Sequence, residues 1–248
     1  MPLVAIIGGS GLSQLGSLED TRRKVARTPY GEPSGALTFG RIAKCEVVFL
    51  ARHGYGHTIA PHQVNYRANL WALKDAGATE VVSVASVGGI RDDMAPGALA
   101  LPSQVIDYTS GRAATFFEGV GVPVHHIDFT EPYSRQLRER ILKAAARCRE
   151  KLIDGGVYAA TQGPRLESAA EVNRLQRDGA DLVGMTGMPE ASLAREIGLE
   201  YAAIAVVANY AAGRGDSARA IPLDKIGAVL EEAMGRVRRV IGALCEEA

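Results

Sequence analysis

Leu3-Val4-Ala5-Ile6-Ile7-Gly8-Gly9-Ser10-Gly11 is an unbroken apolar run that ends in glycines around a serine. A short run without polar alternation is the pattern of a strand covered on both faces. Glycines directly after a strand let consecutive backbone N–H groups converge on an anion, and the Ser10 hydroxyl adds a donor. The stretch therefore predicts an α/β fold with a turn suited to phosphate.

Working outward, comparable runs recur at residues 47–51, 81–84, 100–106, 156–160, 180–183 and 201–208. Helical patterns lie between them. Residues 64–76 carry Leu70 and Leu73 and stop at Gly77, and residues 134–149 align Leu137, Ile141, Leu142 and Ala145 on one stripe. Ser168 followed by Glu171 is a capping box. Pro189 opens a further helix that ends near Gly198. Ile226, Val229, Leu230, Ala233, Val237, Ile241 and Leu244 mark a C-terminal amphipathic helix. Strand–helix alternation with no repeat or linker predicts one domain over residues 1–248: a three-layer α/β fold with a central mixed sheet flanked by helices. In such folds ligands bind at the carboxyl ends of strands.

Composition narrows the partners. Lysine plus arginine and aspartate plus glutamate number 28 each, so the net charge is zero. No global field favours nucleic acid or an acidic membrane, and anion binding must be local. No apolar stretch reaches the roughly 18 residues of a membrane helix, and the N-terminal run lacks the basic residues of a signal peptide. Cys45, Cys148 and Cys245 are odd in number and far apart, which suits a reducing compartment. The cytoplasm is the expected location.

Several strand ends carry chemistry. Arg52-His53-Gly54 pairs a planar guanidinium suited to phosphate with a histidine that can donate a further bond. Ala85-Ser86 precedes Gly88-Gly89, Gln162-Gly163-Pro164-Arg165-Leu166-Glu167 leads into the capped helix, and Met185-Thr186 and Asn209 end two further runs. Taken singly, each has a bland reading as a turn, a cap or a core residue. His57 and His62 lack metal-ligand spacing, so no metal is assigned. A dinucleotide-dependent oxidoreductase would need a third glycine where Gln14 stands.

In this order, and from Ile6 to about Ile226, the motifs resemble the purine nucleoside phosphorylase and methylthioadenosine phosphorylase family. Ala51-Arg52-His53-Gly54, His57-Thr58-Ile59, Val64-Asn65-Tyr66 and Asn69-Leu70-Trp71-Ala72-Leu73-Lys74 are particularly close to the methylthioadenosine branch. The resemblance implies phosphorolysis of a purine nucleoside, with inorganic phosphate as co-substrate and no organic cofactor. It places Ser10, Arg52, His53, Ala85, Ser86 and Thr186 around the phosphate and Met185 against the ribose. Leu166 takes the place of an aromatic residue that stacks on the base. His126 matches a histidine lent by a neighbouring subunit to the 5′ end, which implies a homotrimer.

The base is set by a few positions. Methylthioadenosine enzymes carry Thr-Asp-Tyr-Asp where this chain has Ala208-Asn209-Tyr210-Ala211. Enzymes for inosine and guanosine carry an asparagine there, and a glutamate that accepts from N1–H; Glu167 matches it. A 6-oxopurine offers N1–H as donor with O6 and N7 as acceptors, which suits a carboxylate plus an amide. Adenine offers N1 as an acceptor, which anionic Glu167 repels, and a buried unpaired group discriminates strongly. At the other end, residues 221–226 resemble the methylthioadenosine enzymes, with apolar Leu223 and Ile226 where nucleoside enzymes place a histidine. An apolar 5′ group on a 6-oxopurine nucleoside is 5′-methylthioinosine. Inosine or guanosine, methylthioadenosine, and a purine-binding protein without turnover are the alternatives.

Overall fold

The computed structural model describes residues 3–12, 15 and 18–246. The opening run forms β1 (Leu3–Gly8), which lies parallel to β4 (Cys45–Ala51) on one side and to β5 (Ala78–Gly89) on the other. Side chains alternate across a strand, so β1 serves two cores. Val4 and Ile6 pack with Val47, Phe49 and Val82 on one face, and Ala5 and Ile7 with Val48, Leu50 and Val81 on the other. The first face is covered by α2 (Arg135–Arg147) and α5 (Leu223–Glu246), through Leu137, Ile141, Met234, Val237 and Ile241. The second is covered by α1 (Tyr66–Asp75) and α4 (Gly187–Glu196), through Leu70, Leu73, Ala191 and Leu193. Each fully buried valine or isoleucine contributes about 1.5–3 kcal/mol relative to exposure. Near-continuous apolar strands are therefore stable only in this sandwiched position. The result is a mixed sheet between two helical layers.

The other strands are β2 (Glu19–Lys24), β3 (Leu37–Ile42), β6 (Leu99–Leu101), β7 (Gln104–Asp107), β8 (Leu152–Asp154), β9 (Val157–Ala160), β10 (Leu182–Gly184) and β11 (Glu200–Tyr210). Together the 11 strands among the described residues make one sheet that forks at β5. One branch runs β11–β6–β8; the other runs β10–β9–β7, with β10 antiparallel to the last residues of β5. The two branches are linked along the chain by Pro102 and Ser103, which connect β6 to β7. α3 (Ala169–Arg177) packs Val172 and Leu175 against Ala159 and Val183 of the second branch.

The run at 100–106 reads from the sequence as one strand, and here the structure differs. Pro102 has no N–H to give a ladder, and the chain turns there to pair with β11 and β8 before it and with β9 after it. β2 carries no apolar pattern at all, because Glu-Asp-Thr-Arg-Arg-Lys is an exposed edge strand. β2, β3 and β8 lie outside the apolar runs visible in the sequence. The capping box is present in full: the Ser168 hydroxyl accepts from Glu171 N–H, and the Glu171 carboxylate accepts from Ser168 N–H.

Candidate functional site

Parallel strands β1, β4, β5 and β11 all end on the same side of the sheet, and a cavity of about 430 Å³ opens there. At the end of β1, Gly9 makes close approach possible. A Cβ on it would lie 2.5 Å from the Val84 carbonyl oxygen and 2.8 Å from an Arg52 guanidinium nitrogen. Ser10 follows at the rim, its hydroxyl 3.5 Å from Nε2 of His57.

Arg52 leaves β4 and is completely buried. Its Nε and Nη2 donate to the two oxygens of Glu190 at 2.7 and 2.9 Å, Nη2 also donates to the Ser83 hydroxyl at 2.6 Å, and Nη1 donates to the Val84 carbonyl at 2.9 Å. Glu190, in the first turn of α4, further accepts from Ser83 and Tyr201, each at 2.8 Å. Burial alone would disfavour the charged guanidinium, but Glu190 outweighs it and raises the Arg52 pKa. Of the five N–H groups a guanidinium carries, one on Nη1 is left uncommitted, and Arg52 borders the cavity.

His53 donates from Nδ1 to the Ile59 carbonyl at 2.8 Å, since a carbonyl can only accept. Burial, and after it the Arg52 charge, lower its pKa to about 4. The ring is neutral at pH 7, so its Nε2 is an acceptor. The sequence reading gave His53 a donor's part; the tautomer reverses it.

Ala85, Ser86, Val87 and Gly88 of β5 continue the wall, and Met185 and Thr186 beyond β10 close it. Thr186 stands at the N-cap of α4, yet its hydroxyl makes no cap bond. β11 supplies Asn209 by a register shift between Val207 and Asn209 that brings Asn209 opposite Gly88. Bulges of this kind re-aim side chains beside functional sites. Ala211, Leu166 and Glu167 border the same cavity.

Tyr210 and Leu223 do not. Tyr210 turns its ring onto Gly215. Leu223, the first residue of α5, is 66% exposed. Ile221 and Ile226 form the apolar wall at that end instead. His126 lies exposed in the segment after Phe117, away from the cavity of its own chain. Among the described residues, no cluster of His, Cys, Asp or Glu is arranged to hold a metal ion. Nor is any helix among them long and apolar enough to cross a membrane.

Two residues to which the sequence alone assigns no role organise the site. Glu190 is one; a buried arginine at a strand end demands a counter-ion, but nothing local says which carboxylate. Arg112 is the other. It donates to the carbonyls of Met185 and Met188 at 2.8 and 2.6 Å and to those of Gln162 and Thr161 at 2.9 and 3.3 Å. It thus ties together the two loops that carry Met185 and Glu167.

A family model described as the phosphorylase superfamily matches residues 3–246. The chain belongs to the phosphorylase superfamily. Among its relatives is a probable S-methyl-5′-thioinosine phosphorylase of Pseudomonas syringae pv. tomato, 52% identical over 241 residues, 97% of each chain. The 6-oxopurine nucleoside phosphorylase of Pyrococcus furiosus is 44% identical, covering 86% of this chain and 81% of its own. Methylthioadenosine phosphorylase from Schistosoma mansoni, solved with adenine, superposes with a TM-score of 0.94 at 30% identity, over 100% of this chain and 92% of that one. The phosphorylase fold thus extends through α5, and this phosphorylase is a transferase whose cavity lies at the carboxyl ends of its parallel strands.

Proposed function

We propose that this phosphorylase cleaves 5′-methylthioinosine with inorganic phosphate, giving hypoxanthine and 5-methylthioribose 1-phosphate. The observation that carries this reading is that a single cavity is lined both by Glu167, Asn209 and Ala211 and by Ile221 and Ile226. A carboxylate and an amide complement a 6-oxopurine, and alanine offers adenine no carboxylate. Isoleucines suit a methylthio group better than a hydroxyl.

Phosphate sits between Ser10, Arg52, His53, Ala85, Ser86 and Thr186. The free Nη1–H of Arg52 and the Thr186 hydroxyl donate to its oxygens, and neutral His53 accepts from its P–OH group. A phosphate oxygen forms the new bond to C1′ as the C1′–N9 bond breaks. The purine leaves with the electron pair and takes up the proton of hydrogen phosphate, so charge and atoms balance. Phosphate stabilises the cation-like ribosyl group, Met185 packs on the ribose, and Leu166 covers the base. Asn209 and Glu167 bond the departing purine, and holding both substrates makes the encounter nearly unimolecular. No organic cofactor or metal enters the scheme.

The active unit is a homotrimer in this reading. Phe117, Val120, Val122 and Val124 are exposed on the segment that ends at His125 and His126. Apolar side chains of this kind cover a neighbour, and His126 would then reach the partner's 5′ site. The three free thiols suit a reducing cytoplasm.

Steady-state phosphorolysis of 5′-methylthioinosine, inosine and methylthioadenosine tests the substrate. The highest kcat/KM is expected for methylthioinosine, with base release strictly dependent on phosphate. A higher value for methylthioadenosine would sink the base-pocket argument, and a higher one for inosine would sink the apolar 5′ site.

A further inference from the structure

We infer that Thr161 is a specificity-determining positioning residue: its hydroxyl orients Glu167 for a base that carries N1–H. This rests on the reading of Glu167 given above. Thr161 directly follows β9 and is held through both its N–H and its carbonyl. Its N–H donates to the Gly184 carbonyl at 2.8 Å, and its own carbonyl accepts from Arg112 at 3.3 Å. From that fixed point the hydroxyl donates to Oε1 of Glu167 at 2.6 Å. The Gly184 carbonyl oxygen lies 3.3 Å from the same hydroxyl, a much weaker alternative for its single hydrogen.

The placement of Glu167 makes this bond matter. Residues 164–170 are exposed apart from Glu167 itself, so no close packing holds the side chain. Glu167 also stands in the partition between the main cavity and a second one of about 290 Å³, which Thr161 borders. A free glutamate there has several rotamers, and only some face the base. Engaging Oε1 on the side of the second cavity leaves Oε2 for the main one. A hydroxyl that donates to the carboxylate also fixes the polarity: the carboxylate remains an acceptor, as a base with N1–H requires, and stays mismatched to adenine N1. Threonine therefore selects the base without touching it.

The test combines Thr161→Val, Thr161→Ser and Glu167→Gln, alone and as pairs. Thr161→Val should lower kcat/KM for 5′-methylthioinosine roughly five- to tenfold, the size of one ordinary hydrogen bond. The rate with methylthioadenosine should be unchanged, so the ratio between the two substrates moves. Thr161→Ser should restore the ratio. In the Glu167→Gln background, Thr161→Val should change nothing further. Titration with hypoxanthine supplies a readout without turnover: Thr161→Val should weaken its binding by the same factor and leave phosphate binding and Tm unchanged. Equal loss with both substrates, or an undiminished effect in the Glu167→Gln background, would overturn the role of Thr161. If Glu167→Gln itself leaves base preference intact, the base-pocket reading falls, whatever Thr161 does.

Discussion

A completely buried arginine is tolerable only because a carboxylate meets it with fork-on-fork geometry and the Ser83 and Tyr201 hydroxyls add two further bonds to that carboxylate. Removing the acid and leaving the cation is the costly change. Glu190→Gln is expected to lose about 3–5 kcal/mol of stability, read as a fall in Tm, and to weaken phosphate binding because Arg52 is no longer aimed. A variant as stable as the parent would contradict the pairing. Asn209→Asp should raise kcat/KM for methylthioadenosine relative to methylthioinosine, since a carboxylate accepts from the adenine amino group; an unmoved ratio would remove Asn209 from base selection. His53 gives a pH signature. The free side chain titrates near 6.5, and in the fold near 4. Between those values the unfolded chain binds a proton that the folded chain refuses. His53 therefore costs nothing above pH 6.5, and stability falls progressively below it, by up to about 3 kcal/mol at pH 4. Denaturant melts of parent and His53→Gln at pH 7 and 4.5 should show a smaller acid loss in the variant; identical losses would refute the assignment. Arg52 and His53 were legible from their place at a strand end. The acceptor state of His53 was not, because it depends on the carbonyl of Ile59, met only when the loop folds back.

Elements fixed by apolar burial or by local capping were readable. β1, β4, β5 and β11 announce themselves as runs that only a two-faced core accommodates, and α3 through the reciprocal bonds of its first turn. Elements held by partners far along the chain were not. β2 exists because β3 offers a ladder, with Arg22 and Arg23 lying over the rings of Phe39 and Tyr55. The loops after β9 and β10 likewise owe their relative position to Arg112, a residue in a stretch without helix or strand pattern. Arg112→Leu should therefore separate Met185 from Glu167 and lower kcat/KM about a hundredfold, in line with the cost of misplacing reacting groups by an ångström. Arg112→Lys should rescue little, because one ammonium cannot reach carbonyls on both loops. Substantial activity in either variant would mean that the loops hold themselves.

At the scale of the whole molecule, the forked sheet gathers strand ends from both halves of the chain around one cavity. Residues near position 10 and near position 209 face each other only because β1 and β11 flank β5. The apolar segment 117–126 has no such place within its own chain. Val120→Glu combined with Val124→Glu is expected to yield monomers by sedimentation, with activity that falls in step and stability that does not. Full activity in a monomer would rule out a contribution from a second subunit.

The buried pairing of Arg52 with Glu190 has a further consequence for the attacking anion. In the proposed reaction, with Arg52 paired to Glu190 and His53 uncharged, phosphate would be gripped by N–H and O–H dipoles of fixed direction rather than by an unpaired cation. Such binding is short-ranged and nearly blind to counterions. The KM for phosphate should thus barely change between low and moderate salt, and the sugar phosphate product, an anion itself, can leave without escaping a strong field.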